Sequence, residues 1–168
     1  MNVFLRKSDI LKIACIAQIV NVISPLTTTN DGLLKHTTYY PLLAFNQLAA
    51  GRALDVSVQS PMYETKQFGG MPLLDVSSSY NPETGSSAVF IVNRSQTDDV
   101  PVDINWQDLK PKSVKSARQL SGNDPKAVNT FEEPNNIVMK SIEAPNIQNG
   151  QTTMMLPPLS FTVIEVEM

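Results

Sequence analysis

The stretch Ile13–Pro41, which reads IACIAQIVNVISPLTTTNDGLLKHTTYYP, decides the predicted fold at the amino-terminal side of the chain. A helix capped by Ser8 or Asp9 is predicted to lead into it, because the apolar residues that follow have the spacing of a buried helical face. Ile19–Ile23 is almost continuously apolar and rich in β-branched residues. Such a run predicts a strand that is covered on both faces.

A polar loop and a second helix are predicted after this strand. Thr27–Leu34 contains an Asn-Asp-Gly sequence, which is typical of a turn. His36–Ala50 has an apolar stripe with helical spacing, Pro41 near its first turn and Gly51 at its end. Helix, strand, loop and helix make one unit of a parallel α/β fold, and a single strand cannot form a sheet. We therefore expect elements of a larger protein to precede Met1.

Beyond Gly51 the apolar residues alternate with polar ones, which is the period of a strand. Turn sequences rich in Gly, Pro, Asn and Asp separate the apolar segments. The predicted strands are residues 54–58, Leu73–Ser79, Ala88–Asn93, Val100–Trp106, Ser113–Leu120, Ile137–Ile142 and Ser160–Glu167. Several short strands with polar turns predict a mainly β fold with a C-terminal β-sandwich, jelly-roll-like, over residues 52–168.

Composition excludes several functional classes. The 168 residues carry a net charge of −3, so there is no basic field for nucleic acid. One cysteine and one histidine exclude an intrachain disulfide and argue against a zinc site, and no cofactor is predicted. Arg6 and Lys7 precede an apolar run as in a secretory signal, but Asp9 and Lys12 interrupt it. A cytoplasmic location is therefore favoured, with secretion left open, and no run is long enough to span a membrane.

Four blocks of sequence carry a family resemblance. They are AQIVNVISP at residues 17–25, TTYYP at 37–41, LSGNDP with NTFEEP at 120–125 and 129–134, and LPPLSF at 156–161. In this order and spacing, the chain resembles the C-terminal end of an α-L-arabinofuranosidase of glycoside hydrolase family 51.

The resemblance implies a (β/α)8 barrel followed by a β-sandwich. Residues 1–51 would be a barrel remnant, with Ile19–Ile23 as the last barrel strand and residues 38–50 as the last barrel helix. The resemblance also implies a retaining glycosidase, which in the whole enzyme would release arabinofuranosyl groups from arabinose-containing glycans. Its two catalytic glutamates would lie on earlier barrel strands, so this chain is predicted to be inactive alone. The resemblance also implies a homo-oligomer, or a partnership with the missing barrel portion.

His36 is the one predicted substrate-binding residue. It follows the last predicted barrel strand, and active sites of such barrels lie in the loops after the strands. In the family the matching position is usually glutamine and helps to line the sugar subsite. Histidine also donates or accepts a hydrogen bond, although it offers one polar group fewer.

No acidic residue of this chain is assigned a catalytic role. A retaining glycosidase needs two carboxyl groups about 5–5.5 Å apart. Asp31 is the only acidic residue near the predicted barrel strand, and its place in a turn predicts backbone capping. Glu132 and Glu133 are adjacent before Pro134, and the pattern favours a solvated loop there.

A second hypothesis treats the sandwich as a non-catalytic module for carbohydrate binding or subunit assembly. Trp106 would then be an exposed stacking platform for sugar. The alternative is a core position, since Val102 and Ile104 alternate with it on one strand face. Cys15 is predicted to be a buried small apolar residue of the first helix.

Overall fold

The computed structural model describes residues 1–168, which form two short helices and thirteen strands. The helices are α1 (Asn2–Arg6) and α2 (Tyr39–Leu48). The strands are β1 (Leu26–Thr28), β2 (Leu33–Lys35), β3 (Arg52–Leu54), β4 (Met62–Thr65), β5 (Gly69–Pro72), β6 (Leu74–Asn81), β7 (Ser86–Asn93), β8 (Val100–Asn105), β9 (Ser113–Leu120), β10 (Lys140–Ser141), β11 (Ile147–Gln148), β12 (Gln151–Leu156) and β13 (Ser160–Glu167). No helix is of a length and apolarity that would carry it through a bilayer.

The strands form two facing sheets and two separate hairpins. The larger sheet has six strands in the order β10-β9-β13-β7-β6-β3, and the smaller has the order β11-β12-β8. Strand β1 pairs with β2, and β4 pairs with β5. All these pairs are antiparallel. The predicted mainly β fold with a C-terminal β-sandwich is confirmed, and β9 and β13 have the predicted bounds.

The central strands of the larger sheet are covered on both faces. Along β7, Ala88 and Phe90 point to one side and belong to a core cluster that also contains residues of α2. Val89 and Ile91 point to the other side and join a second cluster with residues of β8 and β12. Successive side chains of a strand alternate between faces, so the nearly continuous apolar sequence of β7 places one core on each side.

Helix α2 packs directly on the larger sheet. The Phe45 ring stacks on Phe90 with a centroid separation of 4.0 Å and an interplanar angle of 15°. The Phe45 ring also stacks on Phe161, with a centroid separation of 6.0 Å. Pro41 is the third residue of α2, where its missing N–H breaks no hydrogen bond of the helix. The predicted helix is therefore confirmed, within narrower bounds. The division into residues 1–51 and 52–168 stays a prediction, and α2 shares its core with the sandwich.

Helix α1 is anchored to β6 on the same side of the sheet. The buried Asn2 side chain donates to the Asp75 carbonyl oxygen at 2.8 Å and accepts from the Ser77 hydroxyl at 2.8 Å. Arg6 forms an ion pair with the Asp75 carboxylate at 2.6 Å, and Arg94 contacts the same carboxylate at 3.1 Å. These polar contacts fix the first turn of the chain on the sandwich, although α1 has only five residues.

The predicted helix after Ser8 or Asp9 and the predicted strand Ile19–Ile23 are both wrong for this chain. The helix forms earlier, as α1, and only Val20 makes a single bridge, to Leu26. Ile19–Ile23 has an apolar sequence but no neighbouring strands to pair with, so its backbone is irregular. Its side chains remain open to solvent, with Val22 86% exposed.

Two further predictions near this segment need correction. Cys15 is exposed, because the helix that would have buried it does not form. The predicted loop Thr27–Leu34 is a hairpin whose strands β1 and β2 pair through three residues each, with the turn at residues 29–32. Three-residue strands are too short to show a reliable alternation in sequence, so only the turn was predicted.

Candidate functional site

His36 lies between the β1–β2 hairpin and the start of α2. Its backbone N–H donates to the Pro25 carbonyl oxygen at 2.9 Å, and its own carbonyl oxygen accepts from the Tyr39 N–H at 3.0 Å. The imidazole Nε2 is 2.8 Å from the Thr27 hydroxyl oxygen. Both the backbone and the half-buried ring are therefore fixed by the elements on either side.

The hydrogen bond to Thr27 leaves one ring nitrogen of His36 for another partner. A neutral imidazole has one donor and one acceptor nitrogen, and a hydroxyl can serve as partner to either. The Nδ1 atom, which has no hydrogen bond within the chain, can therefore donate to or accept from a ligand hydroxyl, according to the tautomer.

Asn129 ties a distant loop to this hairpin. Its side chain is 3% exposed and donates to the carbonyl oxygens of Lys35 and Ile137, both at 2.9 Å. Its Oδ1 accepts from the Ile137 N–H at 2.7 Å. Two residues later, Phe131 lies over Gly32, close enough that an added Cβ there would meet the ring at 3.4 Å. The sequence placed Asn129 in a family-like block but gave no sign that it positions the residue before His36.

The acidic residues near the hairpin lie exposed in turns and loops. Asp31 is exposed in the hairpin turn, where its backbone N–H donates to the Thr29 hydroxyl at 3.4 Å. Glu132 and Glu133 are exposed in the irregular loop that was predicted before Pro134. The pKa of the Glu132 carboxyl is lowered, mainly by a hydrogen bond from the backbone N–H of Glu132 and to a smaller extent by one from the Thr130 hydroxyl. No three His, Cys, Asp or Glu side chains cluster as a metal site would require.

The aromatic residue considered for sugar stacking, Trp106, is held by packing and by a hydrogen bond. Trp106 packs against the second core cluster, and its indole N–H donates to the buried Thr152 hydroxyl at 3.1 Å. Trp106 is therefore a half-buried residue at the margin of this core, which supports the core interpretation over the stacking platform. The rings of Tyr39 and Tyr40 pack edge to face with a centroid separation of 5.6 Å. The pKa of Tyr40 is raised, mainly by burial and to a smaller extent by the neighbouring Tyr39.

The described architecture matches a known family along almost its whole length. The family model of the α-L-arabinofuranosidase C-terminal domain matches residues 1–160. The chain belongs to this family. The resemblance drawn from the four sequence blocks is therefore confirmed, as is the assignment of the sandwich to the C-terminal part of such enzymes.

Individual members of the α-L-arabinofuranosidase family show how much of the enzyme is represented. An intracellular exo-α-(1→5)-L-arabinofuranosidase of Streptomyces lividans is 35% identical over 161 residues, covering 95% of this chain and 24% of the relative. An exo-α-(1→6)-L-arabinofuranosidase of Bifidobacterium longum is 32% identical, and the match covers 99% of this chain and 33% of the relative. A solved family 51 structure from Bifidobacterium longum superimposes with a TM-score of 0.91 and 26% identity. The superposition covers 97% of this chain and 32% of the solved chain. The chain thus spans between a quarter and a third of the length of these relatives.

Proposed function

We propose that this chain is the C-terminal portion of an arabinofuranosidase that releases terminal arabinofuranosyl groups from arabinose-containing glycans. The superposition on a family 51 structure along 97% of the chain carries the proposal. It covers the hairpin and α2 as well as the sandwich, so the likeness includes the elements around His36. No residue of this chain is assigned the role of nucleophile or acid/base.

We also propose that residues 1–51 belong physically to a barrel. Ile19–Ile23 would pair with strands on both sides there, which accounts for its β-branched composition. Docking would also cover the side chains that are now exposed, among them Ile13 and Ile23, each 79% exposed. The partner is thus either the rest of the enzyme or a second copy of this chain. Sedimentation of the chain at rising concentration tests whether a second copy is the partner. Self-association would support this, and a monomer at every concentration would exclude it.

We expect that the 168-residue chain alone will not hydrolyse an aryl α-L-arabinofuranoside, because the two carboxyl groups of the retaining mechanism are not supplied. A chimera tests the proposal more strictly. The C-terminal quarter of the Streptomyces lividans enzyme, which this chain matches, is replaced by the present sequence. The chimera is expected to hydrolyse the aryl arabinofuranoside, whereas the enzyme truncated before this region is expected to be inactive.

Variants with Asp31→Asn and Glu132→Gln in the chimera are the controls. Both are expected to retain turnover, since neither carboxylate takes part in bond breaking. A chimera that folds, binds an arabinose-based inhibitor and yet fails to turn over would contradict the proposed function. Turnover by the chain alone that either substitution abolishes would place the chemistry within this chain.

His36 is proposed to bind a hydroxyl of the arabinofuranosyl group through Nδ1. In the chimera, His36→Ala is expected to lower kcat/KM by about tenfold, the usual value of one good hydrogen bond. His36→Gln restores an amide donor and acceptor and is expected to recover most of this loss. Equal activity of the His36→Ala and unsubstituted chimeras, at equal thermal stability, would remove His36 from the sugar site.

We propose an intracellular location, because the name of the Streptomyces lividans relative describes it as intracellular. Fractionation of cells that produce the chain, with immunodetection in the cytoplasmic and culture fractions, measures it directly. Recovery mainly from the culture medium without lysis would reject this location. The net charge of −3 supports no nucleic-acid partner in either case.

A further inference from the structure

A groove of about 610 Å³ lies at the open edge of the sandwich, where the two sheets separate. Strand β9 contributes Gln119 from the larger sheet, and β12 contributes Gln151 and Thr153 from the smaller one. The connection from Ile142 to Asn146, which passes from β10 to β11, closes the third side. We call this the amide groove, because four of its lining side chains are the amides of Gln119, Asn146, Gln148 and Gln151.

The amide side chains of the groove are largely free to bind a ligand, whereas the Thr153 hydroxyl donates to the Asp103 carboxylate at 2.6 Å. Gln119 donates one hydrogen bond, to the Thr162 hydroxyl at 2.9 Å, and retains its carbonyl oxygen. The amides of Asn146, Gln148 and Gln151 have no hydrogen-bond partner within the chain. Each amide offers two donor hydrogens and an acceptor oxygen. The groove can therefore match groups that both donate and accept, as hydroxyls do.

Strand β12 adds backbone groups to the same groove. Strand β11 covers only Gln151 and Thr152, so the rest of β12 has no neighbour on that side. The Trp106 N–H bonds to the Gly150 carbonyl oxygen across the β8–β12 pair. By the alternation of an antiparallel ladder, the peptide groups of Thr153 and Met155 then point away from β8, towards the groove. No strand pairs with these N–H and C=O groups on that side.

The charge of the lining restricts the class of ligand. Glu143 is the only charged residue among those that line the groove, and no lysine or arginine faces it. An anionic ligand would meet a carboxylate with no compensating cation. Pro145, Met154 and Met155 supply apolar surface for the C–H faces of a ring. An extended peptide is less suited, because only two residues of β12 present free peptide groups to pair with it.

We propose that the amide groove is an accessory binding site for a neutral oligosaccharide, separate from the sugar site at His36. The choice of an arabinose oligosaccharide as the probe rests on the proposed function. Amide and backbone groups would bind the hydroxyls, and the methionine and proline side chains would contact the ring faces. Such a site would hold a glycan chain on the sandwich while its end is processed elsewhere.

Titration of the 168-residue chain with α-(1→5)-linked arabinotriose, followed by amide NMR shifts, tests this proposal. Saturable shifts are expected at Gln148, Gln151, Thr153 and Met155. The Gln148→Ala/Gln151→Ala variant is expected to weaken binding by about tenfold or more, since several hydrogen bonds are lost. Gln67→Ala, at an exposed turn outside the groove, is the matched control and is expected to leave the affinity unchanged.

Three outcomes would overturn the accessory site. They are no saturable shift, equal affinity of the double variant and the control, and equally tight binding of trigalacturonate, which carries negative charges. Displacement of the sugar by a neutral extended peptide of higher affinity would assign the groove to peptide instead. Hydrolysis by the chimera does not depend on this groove, so failure here leaves the proposed arabinofuranosidase function intact.

Discussion

The Phe90→Ala variant is expected to lower the free energy of unfolding by about 3–5 kcal/mol, the usual cost of removing a buried aromatic ring. Phe90 is fully buried at the centre of β7 and stacks on Phe45 of α2 at 4.0 Å. Its removal leaves a cavity between the sheet and the helix, and the paired strands on either side of β7 limit the collapse that would fill it. The substitution should therefore loosen α2 as well as destabilise the sandwich.

Urea unfolding followed by Trp106 fluorescence measures this effect, since Trp106 is the single tryptophan and packs on the opposite core cluster. The matched control is Phe68→Ala, because the Phe68 side chain is 71% exposed in the β4–β5 turn. The control is expected to change stability by less than about 0.5 kcal/mol. A loss below about 1 kcal/mol for Phe90→Ala would mean that the helix–sheet core is not a source of stability.

The Gly51→Ala variant is expected to cost about 3 kcal/mol or more, from backbone strain together with a steric overlap. Gly51 connects α2 to β3 with a φ of +97°, a conformation that L side chains rarely adopt. An added Cβ would lie 2.3 Å from the Tyr80 carbonyl oxygen and 2.7 Å from the Asn81 Cα. Both are backbone atoms of β6, so relief requires β3 and β6 to separate.

Gly85→Ala separates strain from overlap. Gly85 also has a positive φ, +62°, but an added Cβ would have nothing within 4 Å. We expect this control to cost about 1–2 kcal/mol, from the left-handed backbone alone. Thermal unfolding of both variants measures the difference. Equal losses would show that the chain moves away from β6 at Gly51 without cost, and that the approach of α2 to the sandwich is not fixed there.

Much of the sandwich was predictable because its signals are local. Strands β9 and β13 are eight residues long and each follows a proline-containing segment, and they form with the predicted bounds. Strand β12 was missed, because its sequence, QTTMML, alternates weakly and includes two methionines. The Asn149-Gly150 turn before it was visible, and both residues adopt the positive φ that such hairpin turns require.

The candidate site was predictable only in part. His36 was found through its place in a family-like stretch, and its position beside the hairpin and α2 agrees with a loop residue. Asn129 was not found, although it holds the backbone of Lys35 from 94 residues away in sequence. No sequence period reports such a contact, because it depends on how the 120–139 region folds back on the hairpin.

The sequence by itself determined the family, the mainly β character and the helix α2, because motif spacing and apolar period are properties of neighbouring residues. The tertiary structure alone decided the conformation of residues 10–23, the two-sided burial of β7 and the shape of the amide groove. Each of these depends on which distant segments come to lie beside a residue. An apolar run such as Ile19–Ile23 forms a strand only where neighbours satisfy its backbone and cover its side chains.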